Sequence, residues 1–185
     1  MPPTAPTRLS RVAGLCSAGS QDDDLAGFFG PGSLAWRVNR ESCCLLAGRR
    51  AMLLQLAHPL VAAGVAAHSS FRHSPVKRLV RTLDLTQTIV FGTRRQALEA
   101  AARIRSAHRG VHGRLGRAMG CYPAGTRYNA HDPGAAAWVL ATLVDSAIAA
   151  HRWFARPLAP QDQDAYLRDM KRFGEFVGVP YRALP

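Results

Sequence analysis

Residues 132–154 read DPGAAAWVLATLVDSAIAAHRWF. The spacing predicts a helix over about Pro133 to Phe154, with proline in its first turn, where a missing N–H costs nothing. Trp138, Val139, Leu140, Leu143, Val144 and Ile148 leave this helix almost no polar side. A helix apolar nearly all round belongs at the centre of a helical domain. Asp145 and His151 interrupt the pattern, and a polar group carried into a core needs a partner.

Helices flank this segment in both directions. Pro31-Gly32-Ser33 reads as a turn into a helix with Ser33 as N-cap. From Leu34 to Ala57 the apolar residues recur at three and four, with Leu45, Leu46, Met52, Leu53 and Leu56 on one face. Pro59 breaks that helix, a short one follows to about His68, and Ser69–Pro75 is a loop. Val76 to Phe91 is helical and stops at Gly92. Thr93 caps an Ala- and Arg-rich helix expected to run to about Leu115. Residues 116–132 form a connecting loop with a short hairpin around Tyr122 to Tyr128. Pro157 and Pro160 end the central helix, and a last helix spans Gln161 to Val177. No strand pattern of useful length and no internal repeat is present. The expected fold is all-α, a single-domain bundle of about six helices, globin-like in general character, over residues 31–180. Residues 1–30, with their Pro, Gly and Ser and the Asp22-Asp23-Asp24 run, read as a flexible leader.

Composition bounds the rest. Of 185 residues, 48% are hydrophobic and 19% charged, which excludes a disordered chain. Four cysteines, Cys16, Cys43, Cys44 and Cys121, form no CxxC pair and no CxxC…HxxxH framework, which argues against a structural zinc site. Adjacent Cys43 and Cys44 on one helix are badly placed to bridge each other, so reduced thiols and a cytoplasmic location are expected. Ala51 to Ala67 is the most apolar stretch. With Gln55, His58, Pro59 and Gly64 inside it, it suits a buried helix pair better than a membrane span, and peripheral membrane contact stays open.

The net charge is +12. Between Arg72 and Arg117 stand ten arginines and Lys77 against Asp84 and Glu99, so +9 of it falls in this span, most of it on two consecutive helices. On the first, Arg78, Arg81 and Thr82 share a face at i, i+3 and i+4. Two guanidiniums and a hydroxyl can grip a carboxylate or a bound oxygen species; the plainer reading is a solvated basic face with Thr82 bonded back to its own helix. On the second, His108 and His112 stand at i and i+4. That spacing suits a metal pair, or one histidine can hold haem iron axially; a purely structural role is the commoner fate of helical histidines. His58 and His68 flank the short apolar helix and read as core histidines with satisfied nitrogens. Trp138 reads as core, and Trp36 and Trp153 as interfacial anchors.

Four segments carry a resemblance. They are Gln55-Leu-Ala-His58-Pro59-Leu-Val-Ala-Ala-Gly64-Val-Ala-Ala-His68-Ser69; Arg78-Leu-Val-Arg81-Thr82 with Phe91-Gly92; Arg105-Ser-Ala-His108 with Gly113 five residues on; and Tyr128-Asn-Ala-His-Asp132-Pro133 with Trp138-Val139-Leu140-Ala-Thr142-Leu143. In this order, over roughly residues 31–180, the chain resembles the MpaB/latex-clearing-protein group of haem-b-dependent oxygenases, which includes rubber oxygenase. The resemblance implies haem b, with His108 as the proximal iron ligand and Arg78, Arg81 and Thr82 on the distal side. Arg105 and Arg109 would pair with the haem propionates. His112 is the runner-up ligand on spacing alone. The residue at Arg81 is lysine in rubber oxygenase; an arginine stays protonated and ligates iron poorly. Leu140 stands where relatives often carry histidine, and the chain stops near where many relatives continue with further helices.

The function this implies is oxygenation of an apolar substrate, such as an isoprenoid, with dioxygen. Two other classes compete. One is a haem-free family member acting as scaffold or partner subunit, favoured by Leu140 and the short C-terminus. The other is a basic helical nucleic-acid-binding protein, favoured by the +9 segment. Against the latter, no helix-turn-helix signature stands out, and no nucleic acid partner is expected.

Overall fold

A computed structural model describes residues 27–69 and 74–183. Most of the expected leader, Cys16, the Asp22–Asp24 run and residues 70–73 of the expected loop lie outside the described residues. The order is α1 (Leu34–Asn39), α2 (Cys43–Leu56), α3 (Pro59–His68), α4 (Pro75–Phe91), α5 (Arg94–Arg109), β1 (His112–Arg114), β2 (Arg127–Asn129), α6 (Pro133–Phe154) and α7 (Pro160–Val177), then a 3₁₀ turn at Tyr181–Ala183. The bundle is all-α apart from one two-stranded antiparallel ribbon.

Both predicted caps form. Ser33 Oγ accepts from the Trp36 N–H at 3.1 Å. Thr93 and Gln96 make a reciprocal capping box. Two helix boundaries differ from the pattern. The helix expected over Leu34–Ala57 breaks at Arg40–Ser42. Asn39 Nδ2 bonds back to the Ala35 carbonyl, the Arg40 N–H makes the last helical bond to Trp36 O at 3.1 Å, and the Glu41 N–H turns onto Val38 O at 3.3 Å, which closes the helix there. The helix expected to reach Leu115 ends at Arg109 with Gly110 as cap. The chain then enters β1, whose partner strand β2 pairs His112 with Asn129, Gly113 with Tyr128 and Arg114 with Arg127.

α2 and α6 run antiparallel as the most intimate pair in the bundle. Along their seam Trp138 Nε1 donates to Leu54 O at 3.0 Å, Arg50 Nη1 reaches Asp145 Oδ2 at 2.5 Å and Ser146 Oγ at 2.9 Å, and His151 lies by Cys43 and Cys44. Asp145 is therefore an exposed, paired carboxylate, not a buried one. Trp138 is 39% exposed, which corrects the core reading; its indole N–H needs the Leu54 carbonyl at the helix edge. α6 has the length and apolarity of a membrane span, but nine of its residues are buried within the bundle.

The main core gathers α1, α4, α5, α6 and α7 around Val38, Ile89, Val90, Tyr166, Met170 and Phe173. α5 contributes only Ala97, Ala100 and Ala101 to the buried set. Methyl-sized contacts let it lie close to its neighbours. Phe28 and Phe29, the end of the expected leader, are core residues: Phe28 stacks on Phe176 at 4.5 Å, and Arg94 and Arg172 lie over its ring at 5.5 and 5.8 Å.

Candidate functional site

α4 and α5 are joined by Gly92 and Thr93 alone and pack against each other, so the two cationic helices are neighbours. Their buried residues lie toward the connection, at Leu85, Ile89 and Val90 of α4 and Ala97, Ala100 and Ala101 of α5, and none lies in residues 76–84 or 102–109.

Within α4 the three candidates do not act alike. Arg78 is half-buried, and desolvation of its guanidinium lowers its pKa from the ordinary value. Thr82 Oγ1 donates to Arg78 O at 3.0 Å, the back-bond that the plainer reading anticipates. Arg78 and Thr82 border a cleft of about 80 Å³ between α4 and α2. Its walls are Ala47, Ala51 and Met52 of α2 facing Leu79 and Leu83 of α4, and α6 and α7 close it with Leu143, Tyr166 and Met170. Arg81 is exposed and does not border the cleft.

His108 is the penultimate residue of α5 and is half-buried. Burial first, and then the charge of His131, lower its pKa, which keeps the imidazole neutral and able to ligate. The His131 ring lies 6.3 Å away, nearly perpendicular. The structure does not bring His108 to the cleft that Arg78 and Thr82 border. His112 is not on the helix at all. It opens β1 with an exposed side chain, and its carbonyl lies 3.1 Å from His68 Nε2. The i, i+4 relation that made it an alternative to His108 therefore disappears. Arg105 donates to the Phe176 carbonyl and ties α5 to the end of α7, and Arg109 bonds Ser106 Oγ at 2.8 Å on the exposed surface.

One expectation follows from the His108–His131 pair. Replacing His131 by Asn removes the smaller of the two causes that depress His108. The His108 pKa should rise partway toward its ordinary value and no further, as read by ¹H–¹⁵N NMR titration of the ring. No upward movement would mean that His131 does not act on it.

Three histidines carry features that the sequence did not reveal. His58 Nδ1 is buried without a hydrogen-bond partner, between the rings of Tyr122 and Trp138, each 6.0 Å away; this corrects the satisfied-nitrogen reading. His68 is exposed, not core; its Nε2 lies 3.3 Å from the hydroxyl of buried Tyr128. His151 is 6% exposed and gathers with Cys43 and Cys44. Burial pushes the Cys44 thiol up to about 12, so it is an S–H donor, and its Sγ lies 3.1 Å from Val38 O.

One family model matches this chain, described as ER-bound oxygenase mpaB/B'/Rubber oxygenase, catalytic domain, over residues 36–185. Comparison with curated proteins gives no match, and comparison with solved structures gives none either. The matched span starts in α1 and takes in the Arg78–Thr82 segment, His108, the ribbon and the α2–α6 pair, so the chain belongs to the mpaB/rubber oxygenase catalytic-domain family.

Proposed function

We propose that the protein is a haem-b-dependent oxygenase that uses dioxygen on an apolar substrate such as an isoprenoid. Family membership supports the oxygenase class. The observation that carries the haem reading is His108, a half-buried imidazole held neutral at the end of α5, beside the helix that bears Arg78 and Thr82. The donor set suits the group: one neutral nitrogen for iron, and the cationic Arg109 at the exposed end of the same helix for a propionate. Arg105 has further guanidinium N–H groups beyond the one held by Phe176.

Haem b supplies oxygen binding and activation when bound. The chain's own work is positioning and exclusion. Arg78 offers a half-buried, desolvated positive charge at the rim of an apolar cleft, where negative charge on a reacting oxygen is stabilised more than it would be in water; Thr82 borders the same cleft with its O–H given to Arg78 O. The Leu79, Leu83 and Met52 walls suit a hydrocarbon and shed water. Arg81, exposed on α4, contributes long-range charge to that helix.

The cleft volume of about 80 Å³ falls short of the roughly 300–1,000 Å³ that ligand sites enclose. The cleft does not hold a macrocycle as it stands, and His108 does not border it. The small cleft, together with Leu140 buried in the core, favours the second reading, a haem-free scaffold or partner subunit.

Titrating the purified chain with haem b separates the two. We expect saturation at one equivalent with a shifted Soret band. His108→Ala should weaken uptake at least tenfold and change the iron ligation spectrum, and His112→Ala should leave both unchanged. A chain that takes up no haem when supplied overturns the oxygenase reading in favour of the scaffold.

A further inference from the structure

Antiparallel packing of α2 on α6 sets the first turn of one helix against the last turn of the other. Cys43 and Cys44 are the first two residues of α2, and His151 lies in the last turn of α6. Their ligand atoms, two Sγ and one ring nitrogen, all lie within 4.8 Å of one another, and all three residues are buried. We propose that Cys43, Cys44 and His151 form a binding site for one thiophilic d¹⁰ cation, Zn(II) or Cu(I), that staples α2 to α6.

Four features support the site. The donor type is S₂N with no carboxylate in the group, which selects soft or borderline cations over Mg(II) and Ca(II). Bond lengths of about 2.3 Å to sulfur and about 2.0 Å to nitrogen put tetrahedral or trigonal donors about 3.5–4 Å apart. Side-chain rotation of about 1 Å closes the group on an ion. One nitrogen of the His151 ring is engaged: Nε2 lies 3.1 Å from Val38 O. A carbonyl only accepts, so Nε2 carries the hydrogen and Nδ1 the lone pair, the arrangement by which metal-bound histidines are held. Finally, the thiols sit at a helix N-terminus where Ser42 makes no side-chain cap hydrogen bond. Cys44 also borders the apolar cleft, which gives the ion a way in.

Binding forms two sulfur–metal bonds and one nitrogen–metal bond and releases the two S–H protons to solvent. The hydrogen on Nε2 stays where it is. With Zn(II) the two thiolates and the ion sum to zero charge, which suits a buried site; with Cu(I) the sum is −1. No CxxC spacing announces this group, because Cys44 and His151 meet only through the pairing of two helices far apart in sequence.

The test uses the full-length reduced chain carrying Cys16→Ser and Cys121→Ser, stripped with chelator. It is titrated with Zn(II) against a chromophoric chelator and, anaerobically, with Cu(I) against bicinchoninate. One equivalent of one ion should bind at least 100-fold more tightly than to the same chain with Cys43→Ala and Cys44→Ala added, and should raise Tm. Whichever ion competes successfully identifies the resident cation. Co(II) added to the parent chain, which needs no core substitution, should give thiolate-to-metal charge-transfer absorption in the near ultraviolet. Absence of that band, or binding undiminished by the two alanines, overturns the site. Haem uptake is read separately in the Soret region, so the two proposals stand or fall apart.

Discussion

Phe29→Ala should lower the unfolding free energy by about 3–5 kcal/mol, the usual cost of deleting a buried phenylalanine. For a chain of this size that is a fall in Tm of about 6–20 °C. Phe29 is 1% exposed and stands edge-on to Phe176 at 6.3 Å, with the Arg172 guanidinium 5.9 Å above its ring. Truncation leaves a cavity that Phe28, stacked on the same Phe176 ring, is already committed not to fill. It also removes one of the two rings over which Arg172 lies. Urea unfolding followed by far-ultraviolet circular dichroism measures the change. A loss below about 1 kcal/mol, within the range of surface substitutions, would mean that residues 27–30 do not belong to the core.

That outcome bears on how the sequence is read. Two adjacent phenylalanines inside a Gly-, Ser- and Asp-rich stretch carry no helical or strand period, so composition assigns them to a leader. What buries them is the far end of α7, whose Phe173 and Phe176 need cover. Local patterns served well where the physics is local. Ser33 and Thr93 cap helices because each side chain meets an N–H three residues on, and Gly92 stops α4 where the pattern ends. The central helix was legible from its apolarity, but not its exposed edge at Trp138 and Asp145, which depends on where α2 lies. The run from Thr93 to Leu115 misled because Val111 and Leu115 keep a helical period past Gly110, and glycine does not always end a helix. Only the pairing with Arg127–Asn129, a contact across an intervening loop, makes His112–Arg114 between them a strand.

The same distinction separates the site residues. Arg78, Arg81 and Thr82 share a helix face as their spacing requires, yet the cleft takes only Arg78 and Thr82, since its lining is set by how α4 leans on α2. His108 keeps its place on α5, and its depressed pKa arises from burial and from His131, a residue beyond the ribbon. Cys43, Cys44 and His151 were each visible as residues and invisible as a group.

Gly113→Ala should destabilise the protein by about 3 kcal/mol, at the upper end of the ordinary cost of overpacking. Gly113 stands directly opposite Tyr128 in the ribbon. A Cβ there would meet Tyr128 Oη at 2.5 Å, Cζ at 2.7 Å and Cε1 at 3.1 Å, so the whole edge of the ring is in the way. The ring has nowhere to retreat. Tyr128 is 8% exposed, and its other side lies over Gly64 of α3, with ring carbons 3.9 and 4.0 Å from the position a Cβ would take there. Two substitutions at Tyr128 test the account. Tyr128→Phe removes only the hydroxyl and leaves Cζ in place, so Gly113→Ala should cost nearly as much in that background. Tyr128→Leu removes the obstructing edge, so the same change should then cost less than about 1 kcal/mol, a coupling of about 2 kcal/mol between the two positions. Equal costs in all three backgrounds would mean the ring is not what excludes a side chain at Gly113. The ribbon also joins α5 to the segment bearing His131, so Gly113→Ala should shift the His108 titration even in molecules that remain folded. The glycine therefore serves the candidate site by fixing where the ribbon begins after His108, a role that its distance from any reacting group would otherwise conceal.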